Sequence, residues 1–130
     1  MHEVTSTFNS TVASDELRAV CDVLAKEISA CLPEATLKLW YKIPVWFIQD
    51  SPIVGYSITK HKGVNLLFWS GQAFDEPGLT PEGSFKAAEI KYMQPSDVDI
   101  QQLHSWLAES QNKIYDYKDI RKNRGKLTLL

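Results

Sequence analysis

In the first third of the chain, apolar residues recur at helical spacing. Leu17, Val20, Cys21, Leu24, Ile28 and Cys31 mark one stripe, with Asp22, Lys26 and Glu27 on the other side. Thr11 or Ser14 can cap this helix, Asp15 and Glu16 suit its positive end, and Pro33 stops it. Residues 1–12 are polar and aperiodic and predict a loose arm. The period then drops to two. Leu37, Leu39, Tyr41 and Ile43 alternate with Thr36, Lys38, Trp40 and Lys42, which predicts a half-buried strand. Pro44 forces an edge, bulge or bend before extended structure resumes over 45–49. Asp50-Ser51-Pro52 is turn chemistry. Residues 53–59 and 64–69 read as two more strands joined by a hairpin at Lys60-His61-Lys62-Gly63. A glycine- and proline-rich loop over 70–84 precedes a fifth strand over 85–93. Ser96-Asp97-Val98-Asp99 opens a second helix with Ile100, Leu103, Trp106 and Leu107 as its stripe, and 114–123 reads as a third, weaker helix.

One helix, a run of hairpin-linked strands and then helices predict an α+β fold. It has two layers: a mainly antiparallel sheet of about five strands, an N-terminal helix and C-terminal helices. The chain has 130 residues, which suits one domain, placed at 13–125 with a tail at 126–130. Hydrophobic content of 44% and charged content of 23% are those of an ordinary globular domain. A net charge of −2 gives no global attraction to nucleic acid or anionic lipid, so neither partner is expected. No apolar run approaches the length of a membrane span, and the first residues lack the pattern of a secretory signal, so the expected location is cytoplasmic.

Candidate chemistry is sparse. Cys21 and Cys31 share one helix, where ten residues rise about 15 Å, too far for a disulfide. Neither has an adjacent histidine, and Ser51, Ser57, Ser70 and Ser84 lack a nucleophile-elbow setting. No phosphate-binding glycine loop or four-ligand zinc pattern is present, and an enzyme is not expected. His61, between two lysines at a hairpin tip, suits an anion or acid–base work, or is a solvated turn that discourages edge pairing. His104 reads as a boundary residue beside a core stripe. The basic run from Lys118 to Lys126, with Tyr115 and Tyr117, reads as a solvated helix end more readily than a nucleic-acid contact. Leu127, Leu129 and Leu130 could dock on the body or on a second copy, so a homodimer is one possible assembly.

The aromatics concentrate where function is expected. Trp40, Tyr41, Trp46, Phe47, Phe68 and Trp69 lie within residues 36–71. With helices on one sheet face, the other would carry Trp40, Lys42, Asn65, Trp69 and, by extension, Trp46. Tryptophan with lysine suits a small anionic or aromatic ligand, or a protein partner; alternatively the rings simply cover the second face. The candidate ligand-binding set is Trp40, Tyr41, Lys42, Pro44, Lys60, His61 and Trp69.

An ordered set of motifs resembles that of one family of small bacterial domains. Trp40-Tyr41-Lys42-Ile43-Pro44 resembles its Trp-Tyr-Gly-Ile-Pro signature. Gly55-Tyr56, Lys60-His61, Leu67-Phe68-Trp69-Ser70-Gly71, Asp75-Glu76-Pro77-Gly78-Leu79, Glu82-Gly83 and the helix from Ser96 to Leu107 follow in the family's order. The family they resemble is the YdhG/YdeI-like family of unknown function, and the resemblance spans roughly residues 15–110. It implies a helix-covered antiparallel sheet similar to type III secretion chaperones. Lys42 replaces a frequent glycine, and of the family's basic cluster before the fifth strand only Lys86 survives. Some members of the family have been linked to frataxin-like iron delivery. The alternative reading is therefore an iron chaperone using Asp15 and Asp22, seven residues apart on one helix face, with Glu16 and Glu27 nearby. The primary reading calls for no cofactor.

Overall fold

The computed structural model describes residues 2–59, 63–83, 85–117 and 129. A six-stranded antiparallel sheet has the order β1-β2-β3-β4-β6-β5. Its strands are β1 (Thr36–Trp40), β2 (Ile43–Ile48), β3 (Ser51–Thr59), β4 (Gly63–Phe68), β5 (Thr80–Pro81) and β6 (Ala88–Tyr92). Three α-helices, α1 (Glu3–Ser10), α2 (Asp15–Cys31) and α3 (Ile100–Asn112), and two single 3-10 turns at Gly71–Ala73 and Pro95–Asp97 complete the described elements. The expected α+β class holds, with the two-residue β5 as the additional strand.

The helices gather on one face because the alternation of the central strands leaves only one thoroughly apolar side. Trp46, Val54, Tyr56, Val64, Leu66, Phe68 and Tyr92 form that side. They pack against Val20, Cys21, Leu24 and Ile28 of α2 and Leu103, Trp106 and Leu107 of α3. The register rows are consistent with this. Trp46 pairs with Val54, Val54 with Phe68 and Phe68 with Ala88. Burying a side chain of this size contributes about 1.5–3 kcal/mol, so these rows dominate stability. The Ser14 hydroxyl caps α2 by accepting from Leu17 N, and the Asp99 carboxylate caps α3 by accepting from Gln102 N. Ile100 stands at the rim instead of in the expected stripe.

Three expectations need correction. The loose arm contains α1, whose buried positions are the polar Thr5 and Asn9. Asn9 accepts from Tyr56 Oη at 2.7 Å and donates to Asp22 at 2.8 Å, and Phe8 meets the Tyr56 ring edge-on at 5.7 Å, so α1 docks through these contacts without an apolar stripe. The third helix expected from Ile114 does not begin there: Tyr115 makes an isolated bridge with Leu129, and 118–123 lie outside the described residues. The strand read through Tyr41 and Lys42 instead ends at Trp40. Tyr41 and Lys42 have φ of 52° and 69°, the two positive angles of a tight hairpin turn.

The 70–84 loop is tied to α3. Glu109 accepts from Asp75 N at 2.7 Å and Glu76 N at 2.9 Å, while Trp106 Nε1 donates to Glu76 O at 3.2 Å. Lys113 Nζ donates to Glu109 and to Ala73 O. Among the described residues no helix is long and apolar enough to cross a membrane.

Candidate functional site

The two-residue turn sets which side chains share the face that carries no helix among the described residues. Because Tyr41 and Lys42 form the turn, Trp40 pairs directly with Ile43, and both fall on that face. Lys38 pairs with Val45, Val45 with Gly55, Gly55 with Leu67 and Leu67 with Glu89. Trp46 therefore turns to the helices. It is fully buried and donates from Nε1 to Ser29 Oγ at 3.3 Å, which corrects its expected extension onto the outer face.

Trp40 and Trp69 do share the outer face. Their ring centroids lie 5.8 Å apart at 45°. Trp40 also meets Phe47 edge-on at 5.5 Å and Tyr41 at 4.8 Å. These rings lie over the small-residue row, where Val45 is fully buried and Gly55 is buried. An ideal Cβ on Gly55 would lie 3.5 Å from Trp69 Cζ3, ordinary contact distance, so the indole rests on the glycine. Both indoles are half-buried: one side covers the sheet and the remainder meets solvent. Tyr41 is 83% exposed at the hairpin tip beside the exposed Lys42. Lys38 Nζ sits 4.4 Å from the centroid of the Phe47 ring, a cation–π arrangement.

The other candidates divide. Pro44 is buried with its carbonyl close to Gly55, so it shapes the platform from beneath. Lys60 and His61 lie outside the described residues, as does the basic run from Lys118. Tyr117 donates to Trp69 O at 2.6 Å and accepts from Lys86 N at 3.2 Å, fixing the backbone that carries the indole. Burial pushes the Tyr117 phenol up from its ordinary value, in keeping with this neutral donor role. Sequence periodicity gave no sign of that anchor. Asn65 stands on the same face, donating to Glu89, which pairs with Lys91.

Asp15 is almost fully exposed and pairs with Arg18 at 3.0 Å; Asp22 accepts from Asn9. No group of three His, Cys, Asp or Glu side chains is placed to hold a metal among the described residues. His104 Nε2 meets Glu27 Oε1 at 2.7 Å, joining α3 to α2. Cys21 is buried, and burial, reinforced by Asp22, pushes its thiol up to about 12. Cys31 is half-buried and raised for the same first reason. Neither thiol is poised as a thiolate near neutral pH.

A recess that the sequence did not suggest lies on the helix side. A groove of about 470 Å³ is lined by His2, Asp22, Val23, Ala25, Lys26 and Ser29. A second recess of about 500 Å³ shares His2 and Ser29 with it and reaches Trp46. Neither is lined by Trp40 or Trp69, so the half-buried indole pair lies outside both recesses.

Neither the known family models nor the curated proteins match the chain. Among solved structures, it is similar to the crystal structure of a DUF1801 family protein, YdhG from Bacillus subtilis. The TM-score is 0.60 at 14% sequence identity, over 94% of this chain and 92% of that one. The chain thus has the YdhG-like fold that its ordered sequence motifs imply.

Proposed function

We propose that this chain is a non-enzymatic, cytoplasmic binding domain whose working surface is the sheet face around Trp40 and Trp69, opposite the described helices. The observation that carries the reading is the indole pair itself. Two half-buried tryptophans meet at a tilt, one of them resting on a glycine, with an exposed tyrosine and two exposed lysines beside them. Indoles supply large contact area at low conformational cost, and Lys38 and Lys42 favour a ligand with a negative group. An open platform suits a flat or extended ligand better than one that must be enclosed. The positions of Asp15 and Asp22 do not favour the iron-chaperone alternative, since an arginine and an asparagine already engage them.

The test is a tryptophan-fluorescence titration with anionic aromatic carboxylates such as indole-3-acetate and 4-hydroxybenzoate. Trp46 and Trp106 are buried, so a response at the platform must come from Trp40 and Trp69. The reading expects a saturable response that Trp40→Ala and Trp69→Ala each weaken at least about tenfold, or about 1.4 kcal/mol. A response that survives both substitutions moves the site elsewhere, with the α1–α2 groove the first place to look. Ferrous iron uptake lost in Asp15→Asn with Asp22→Asn would instead support the chaperone alternative.

A further inference from the structure

β1 is a five-residue edge strand with a partner on one side only among the described residues. Trp40 and Ile43 close the two-residue hairpin and so form a hydrogen-bonded pair, after which bonding alternates along the ladder. Thr36, Lys38 and Trp40 therefore turn their backbone groups toward β2, while Leu37 and Leu39 turn theirs outward. No backbone bond from outside the sheet reaches Leu37 or Leu39 among the described residues. The opposite edge, β5, is only two residues long. Lys38 and Trp40 stand on the platform face of this edge, and Leu39 is 54% exposed on the other. No ion pair engages Lys38 or Lys42 among the described residues.

We infer that β1 is an acceptor edge for an extended acidic peptide, which adds as a further strand, sets a carboxylate opposite Lys38 and lays a neighbouring side chain on Trp40. The inference rests on the platform reading and names its ligand. Backbone pairing at Leu37 and Leu39 supplies affinity without regard to sequence, and the Lys38 row supplies selectivity for negative charge. A second copy of the chain fits less well. The antiparallel register that uses both outward residues, Leu37 with the other copy's Leu39, puts Lys38 directly opposite its own counterpart. Like charges so placed are destabilising, and a central lysine is a device against edge self-pairing. The charge that repels a copy attracts an acidic strand.

The test uses the whole chain and an end-blocked octapeptide alternating valine with glutamate, beside its valine–lysine counterpart. The glutamate peptide should slow amide hydrogen exchange at Leu37 and Leu39 at least about tenfold at saturation and perturb Trp40 fluorescence; the lysine peptide should do neither. Lys38→Glu should reverse that preference by about tenfold. Leu39→Pro removes an outward N–H that the β2 ladder does not use, and should abolish peptide binding with the fold retained. If that variant does not fold, a glutamate peptide N-methylated at alternate residues on its edge-facing side puts the same question to the unaltered protein and must not bind. Absence of binding by the glutamate peptide overturns the inference. So does binding that leaves Leu37 and Leu39 exchange unchanged, or peptide-free protection that grows with protein concentration. A response to the aromatic carboxylates lost in Trp40→Ala and Trp69→Ala, without edge protection by the peptide, overturns this inference alone. Edge protection indifferent to both substitutions overturns the platform reading and the contact with Trp40, leaving only the pairing at Leu37 and Leu39.

Discussion

Gly55→Ala probes the packing on which the platform is built. The added Cβ would lie 2.8 Å from Pro44 O and 2.9 Å from Val45 Cγ2. Both distances are too short to persist, and the carbonyl belongs to a paired strand that yields little. Trp69, at 3.5 Å, would be displaced only as its support moves. Overpacking of this kind costs about 1–3 kcal/mol, and the lower unfolded-state entropy of alanine returns about 0.4–1 kcal/mol. The net expectation is a loss of about 1–2 kcal/mol, or a Tm lower by roughly 3–8 °C in a chain of this size. Circular dichroism melting measures the loss, and a shift of tryptophan emission reports the movement of Trp69. An unchanged or raised Tm would refute the claim that Gly55 sits tightly between Pro44 and Val45 beneath the indole.

Other perturbations reach other parts of the account. Lys42 occupies a left-handed turn position at φ 69°, which costs a non-glycine residue about 1–2 kcal/mol. After about 0.5–1 kcal/mol of glycine backbone entropy, Lys42→Gly should still stabilise by about 0.5–1 kcal/mol, visible as a higher denaturation midpoint. Tyr56→Phe removes the hydroxyl that donates to Asn9 and should cost about 1–3 kcal/mol in chemical denaturation, with α1 amides exchanging faster than those of α2. Burial raises the Glu109 carboxyl, but the Lys113 hydrogen bond and the Asp75 and Glu76 N–H donors outweigh it, leaving its folded pKa below 4.5. A depressed folded pKa adds stability above the unfolded value that is lost as pH falls through the folded one. Glu109→Gln should therefore cost about 1–2 kcal/mol near neutral pH, solvent screening trimming the upper end, and progressively less in melts at pH values that fall through the lowered carboxyl pKa.

Much of the architecture was legible because its burial is apolar and periodic. α2 and α3 declare their buried stripes, and the strands of the central sheet alternate cleanly. α1 was illegible because its inward face sets the polar Thr5 and Asn9 beside Phe8, and the hydrogen bonds of Asn9 leave no periodic mark. The Tyr41-Lys42 turn hid inside an unbroken alternation: Tyr41 and Ile43 continue the apolar pattern of Leu39 although the chain reverses between them. That reversal moved Trp46 from the expected open face into the core. The pairing of Trp40 with Trp69 was readable as a shared face, but its closeness was not. It follows from a glycine two strands from β1 and a tyrosine anchor nearly fifty residues downstream of Trp69.

The most direct test is NMR of the protein with 19F-labelled tryptophan and a soluble paramagnetic agent. Two indole resonances, assigned to Trp40 and Trp69 by substitution, should broaden strongly while those of Trp46 and Trp106 do not. Equal protection of all four would contradict an open platform and remove the basis for ligand binding at this face.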